Sequence, residues 1–173
     1  MKTILIYAFV FFGLTQTFSQ NLSLDELISL RKKELSEIEE FLTNKNWSFL
    51  SAEEPEQDKL GLVTFAFDKS NYDDKAQSFL RYFYSDKSES KRIQIQVNKK
   101  EIYNSYLTKL KSLEYKIINS KIENGKIIKI YEGAKIIIEI RIATQKEGLD
   151  NTKTYYTLFF VEKDDYYRNL IGE

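Results

Sequence analysis

The chain has 173 residues, 26 of them basic and 26 acidic, and contains neither cysteine nor histidine. The missing cysteines exclude disulfides, thiol catalysis, thiolate metal sites and a lipid anchor on a cysteine. The missing histidines remove the commonest general base, zinc ligand and pH switch. Balanced charge argues against a dedicated nucleic-acid binder, and 12 tyrosines, 12 phenylalanines and one tryptophan supply a sizeable core.

Met1 and Lys2 give a short positive start. Ile4 to Leu14 is apolar apart from Gly13, and Thr17-Phe18-Ser19 puts small residues at −3 and −1 of a cleavage site. This is the build of a secretory signal peptide over residues 1–19, too short for a comfortable membrane span of about 20 apolar residues. The expected working chain begins near Gln20, is periplasmic or secreted, and carries one more acidic than basic residue once Lys2 is gone. No later run is long and apolar enough to span a membrane.

Ser23 and Glu26 are spaced as a capping box, with Leu22 and Leu27 as its staple. Leu24, Leu27, Ile28, Leu35, Ile38 and Leu42 recur at helical spacing, predicting one amphipathic helix over 23–43. Short strands are predicted over 46–50, 62–67, 79–84 and 92–97. Of these, Ile93, Ile95 and Val97 alternate cleanly with Arg92, Gln94 and Gln96. The acidic loop 51–59 holds the only proline, and 68–74 is a polar turn.

Asn98 and Glu101 then suggest a second capping box, opening a helix with Ile102, Tyr106, Leu110 and Leu113 on one face. Strands are predicted over 115–122, 126–131, 135–142 and 153–161, with a loop over 144–152. Asn124-Gly125 is a strong hairpin signal, because a type I′ turn needs positive φ at both positions. In the third of these strands Ile136, Ile138, Ile140 and Ile142 share one face. Residues 164–173 read as a polar tail.

Both halves, 23–97 and 98–163, read helix and then four strands. An offset of 68 residues superposes Leu35 on Tyr103, Ile38 on Tyr106, Leu42 on Leu110, Trp47 on Tyr115 and Phe49 on Ile117. The expected fold is a single α+β domain over 20–163, with two helix-plus-four-stranded antiparallel halves. A tandem duplication forming one curved sheet is one origin, and two unrelated helix–meander stretches are the other.

The element order over 23–161 resembles the duplicated helix-plus-four-strand fold of β-lactamase inhibitor proteins. Those inhibitors rely on disulfides, which this chain lacks, so the resemblance implies a fold and not inhibition. Phe18-Ser19-Gln20-Asn21 and the Lys/Ile/Asn-rich body are similar to small exported proteins of the Bacteroidetes, which implies an envelope or extracellular address.

No catalytic residue, metal site or cofactor is assigned. Glu53, Glu54, Glu56 and Asp58 are interrupted by Pro55. Asp68, Ser70, Asn71, Asp73 and Asp74 lack the glycine and distal glutamate of a calcium loop. Glu139 and Arg141 read as an exposed charge pair. Ser78, Ser85, Ser88 and Ser90 have no spaced base beside them.

The aromatics point to recognition. Tyr82 and Tyr84 share one face of their strand. Tyr155 and Phe159 share a face of the last strand, opposite Tyr156, Leu158 and Phe160, so that strand is central or its second face meets a partner. The leading expectation is an exported non-enzymatic binding module that recognises a protein or envelope component through Tyr82, Tyr84, Tyr155 and Phe159. An apolar-ligand carrier with a cavity lined by Phe65, Phe67, Ile138 and Leu158 is the alternative, and a carboxylate-based hydrolase the third reading.

Overall fold

Helix-forming and strand-forming stretches alternate in two rounds. The computed structural model describes residues 22–57, 59–72, 75–147 and 151–170. The leader predicted over 1–19 lies outside them, as do Asp58, Asp73 and Asp74. The first round comprises α1 (Leu24–Leu30), α2 (Leu35–Thr43), β1 (Trp47–Glu53), β2 (Gly61–Lys69), β3 (Ala76–Tyr84) and β4 (Arg92–Val97). The second comprises α3 (Lys100–Ser112), β5 (Lys116–Glu123), β6 (Lys126–Glu132), β7 (Ile136–Glu147), β8 (Asn151–Glu162) and α4 (Lys163–Asn169).

All eight strands form one open antiparallel sheet in the order β1-β2-β3-β4-β8-β7-β6-β5. The α+β class and the antiparallel sheet are as the sequence predicts. The halves meet where Ile95 of β4 lies opposite Leu158 of β8. The strand order is thereby symmetric about the β4–β8 pair, with β3 and β7, β2 and β6, and β1 and β5 at matching distances from it. Two local features recur at the 68-residue offset. Asn46 and Glu114, each just past a helix, have φ of 61° and 59°. The edge strands carry register shifts between Phe49 and Ser51 and between Ile117 and Asn119.

One sheet face holds the core. Val63, Phe65, Leu80, Tyr82, Ile93, Ile95, Ile138, Ile140, Leu158 and Phe160 are buried there with Leu27, Leu30, Ile38, Leu42, Tyr106 and Leu110 from the three covering helices. Each such aliphatic or aromatic side chain contributes about 1.5–3 kcal/mol on burial.

Four expectations need correction. The helix predicted over 23–43 is two helices. The Ser23–Glu26 box forms, with Ser23 N–H donating to Glu26 Oε2 at 2.8 Å and Glu26 N–H to Ser23 Oγ at 3.2 Å. The helix nevertheless stops at Leu30, and a second box opens at Glu34, whose N–H donates to Glu37 Oε2 at 3.0 Å. The break frees the Lys33 carbonyl to accept from the Tyr82 hydroxyl at 3.3 Å and turns the buried Arg31 to Glu162 at 2.8 Å.

The box predicted at Asn98 does not form: α3 is capped by Lys99, without a side-chain bond. The loop predicted over 144–152 is mostly strand, since β7 and β8 pair along 12 positions each. The polar tail includes α4, which has Asp164 and Asp165 in its first turn, Arg168 in its last and Tyr166 buried against Ile128, Ile130, Ile137 and Val161.

Candidate functional site: the open face of the sheet

Because side chains alternate along a strand, a sheet whose helices all lie on one side presents its other side to solvent. Among the described residues α4 is the one element packed on that second face, where it covers the β6–β7–β8 corner. The rest of the face stays open, and β3, β4 and β8 form its centre.

Arg81 lies opposite Gln94, which lies opposite Phe159; in the next row Phe79 lies opposite Gln96, which lies opposite Thr157. Phe83 meets Phe159 edge to face, with ring centroids 6.0 Å apart and planes at 81°. All of these side chains are half-buried by their neighbours alone. The side chains of Arg81, Gln94, Gln96 and Thr157 have no hydrogen-bond or ion-pair partner among the described residues.

A guanidinium brings five N–H donors, each glutamine amide two donors and an acceptor, and the threonine a hydroxyl. The flanking carboxylate of Glu139 is engaged by Arg141, the charge pair expected between them. The centre is therefore a donor-rich polar row framed by phenylalanines, suited to a partner with carboxylates or carbonyls beside apolar groups.

The four aromatics singled out from the sequence do not share one surface. Tyr82 is buried beneath the helices, where burial, with the Glu34 charge, pushes its phenol up to about 12. Tyr84 is half-buried on the same face and stacks on Tyr82 at 6.0 Å, with planes 7° apart. Phe159 and Tyr155 lie on the open face, and Lys153 Nζ sits 5.5 Å from the Tyr155 ring centre. Sequence reasoning missed Arg81, Gln94, Gln96, Thr157, Phe79 and Phe83. The polar positions of β3 and β4 alternate correctly, but alternation does not say which face the helices leave bare.

The other candidates assemble no reactive centre. Among the described residues no three Asp or Glu side chains are grouped to hold a metal ion. A cleft of about 650 Å³ opens between the 55–60 and 85–92 loops and the end of α4. Of its cations, Lys59 is held by Glu53 at 3.0 Å and Arg92 by Asp165 at 2.8 Å, and Lys87 Nζ donates to the Gln57 carbonyl at 3.4 Å. Ser85 and Ser88 Oγ accept from the Lys87 and Ser90 amides in local turns. Phe65, Phe67, Ile138 and Leu158, which would line a carrier's cavity, are buried in the helix-covered core. No helix of the described residues is long and apolar enough to cross a membrane.

Comparison with protein-family models, with curated proteins and with solved structures finds no match.

Proposed function

We propose that the chain is an exported, non-enzymatic binding module, and that the open sheet face seats a protein partner. The observation that carries this reading is the cluster Arg81, Gln94, Gln96 and Thr157, without side-chain partners among the described residues and framed by Phe79, Phe83 and Phe159. Arginine and aromatic side chains are the types enriched at the centres of protein interfaces. The unpaired Arg81 favours a partner surface bearing a carboxylate. The leader read over residues 1–19 supports a periplasmic or external address.

The test is affinity capture from the producing cell's own envelope fraction, using residues 20–173 as bait beside an Arg81→Glu and a Phe159→Ser variant. The expected result is one protein retained by the parent bait and lost from both variants, while their circular dichroism stays unchanged. Capture indifferent to both substitutions, or retention of a polysaccharide in place of a protein, overturns the reading.

A further inference from the structure

The sheet ends at β5, and the outer edge of that strand is complementary to itself. β5 is hydrogen-bonded on one side, to β6, and all eight of its residues are exposed. The bulge at Ile118 leaves seven ladder positions, centred on Ser120 opposite Lys129. Ile117 and Ile122 are five residues apart and would point to opposite faces of a regular strand. The bulge sets them on one face, opposite Tyr131 and Ile127. Ile117, Ile122 and Ile127 are 56%, 80% and 43% exposed, an isoleucine strip that the covering helices do not reach.

We propose that β5 pairs antiparallel with β5 of a second copy of this chain, about a two-fold axis through Ser120, so that two eight-stranded sheets become one. In this register Lys116 lies opposite Glu123 of the second copy, Ile117 opposite Ile122, and Asn119 opposite Lys121. Lys116 engages no carboxylate among the described residues, and Glu123, held by Lys121 at 2.9 Å, gains a second cation. Side chains keep to matching faces only when the register moves by two positions. One such shift sets Lys116 against Lys121, and the other sets Lys121 against itself; like charges directly opposite are destabilising. Lysines on an edge ordinarily oppose pairing, but in this register, which pairs all seven positions, neither lysine faces another, unlike in the two neighbouring registers. The opposite edge, β1, offers no such match: Glu53 is its one charged residue, and Lys59 already holds it at 3.0 Å.

The contact is small, so the dimer belongs to the weak, concentration-dependent class. The test uses residues 20–173, which contain every described element. The chain has no thiol of its own, so a single introduced cysteine reports one position. Antiparallel neighbours stand about 4.5–5.5 Å apart at Cα, inside the roughly 4.4–6.8 Å that a disulfide spans.

Ser120→Cys should therefore cross-link to a dimer on mild oxidation much faster than Tyr72→Cys, a loop residue that is 99% exposed. In sedimentation velocity, Ile122→Lys and Lys116→Glu should each weaken dimerisation roughly tenfold, since each affects two symmetry-related pairs. Combining Lys116→Glu with Glu123→Lys should restore it. Because these side chains are exposed, the melting temperature of each variant, read at a concentration where the parent is monomeric, should match the parent's. A parent that sediments as a monomer at every concentration overturns the proposal. So do equal cross-linking rates for the two cysteine variants, and so does a charge-reversed double variant that fails to recover.

Discussion

Arg92 of β4 grips Asp165 of α4 through two parallel hydrogen bonds, Nε to Oδ2 at 2.8 Å and Nη2 to Oδ1 at 2.9 Å, across 73 residues of sequence. Asn169 Nδ2 adds a third, to Oδ1 at 2.7 Å. A helix of seven residues does not stand alone in water. The seat of α4 on the open face therefore rests on this fork and on the buried ring of Tyr166.

Asp165→Asn should undock α4. Burial opposes the Asp165 charge, but the hydrogen bonds from Arg92 and Asn169 outweigh it and hold the carboxyl below its usual range. Its contribution is therefore present above the unfolded carboxyl's pKa of about 3.9 and is lost as pH falls through the lower folded value. The substitution should cost roughly 1–3 kcal/mol at neutral pH, and the variant's stability should vary less with pH below about 4. Urea unfolding across pH measures both. Faster amide exchange confined to 163–170 would mark the loss as local.

Alkaline pH should unfold this protein through its tyrosines. Tyr103 stacks on Tyr156 with ring centroids 4.2 Å apart, and burial pushes the Tyr103 phenol up to about 12. Tyr82 is raised to about 12 as well, and the buried Tyr106, whose hydroxyl donates to the Leu22 carbonyl at 2.7 Å, is also raised. A phenol whose folded pKa exceeds the unfolded value favours the fold below about pH 10 and ceases to do so as pH rises through the folded value. The urea midpoint should therefore fall between pH 10 and 12, and Tyr103→Phe should flatten that fall. An unchanged slope in the variant would assign the alkaline loss to other groups.

Ile138 and Ile122 mark what the sequence makes legible. Alternation places Ile136, Ile138 and Ile140 on one buried face, and they are buried. Strand number, antiparallel pairing and the Asn124-Gly125 turn, at φ 49° and 72°, follow from patterns within a few residues of one another. Ile122 also lies in a strand that the sequence predicts but is exposed, because no helix among the described residues extends over β5. How far a layer extends depends on packing between distant elements, which local periodicity does not encode. The same limit hid α4, whose polar sequence is held by Arg92 across the sheet. It also hid the break after Leu30, where contacts with Tyr82 and Glu162 outweigh continuous helix.

Gly61 makes room for Tyr84. The two face each other across β2 and β3, and a Cβ on Gly61 would stand 2.5 Å from the Tyr84 ring and 2.9 Å from Pro55. Gly61→Ala should cost about 1–3 kcal/mol, the usual range for overpacking. Combining it with Tyr84→Ala should relieve much of that cost, which a double-mutant cycle on unfolding free energies measures directly. Fully additive losses would mean that Pro55, and not the Tyr84 ring, resists the methyl group.

Glu114 occupies a position built for glycine. At φ 59° it is left-handed, and it closes α3 with the Glu114 amide on the Lys111 carbonyl at 3.1 Å and the Tyr115 amide on the Leu110 carbonyl at 3.1 Å. A side chain there costs about 1–2 kcal/mol of local strain, and glycine returns part of that gain as unfolded-state entropy. Glu114→Gly should therefore stabilise the protein by about 0.5–1 kcal/mol. Asn46→Gly, at the equivalent point of the first half, should change stability by less, since asparagine tolerates this conformation. Denaturant midpoints at constant slope decide the comparison, and a loss of stability in Glu114→Gly would mean that the carboxylate makes a favourable contact of its own.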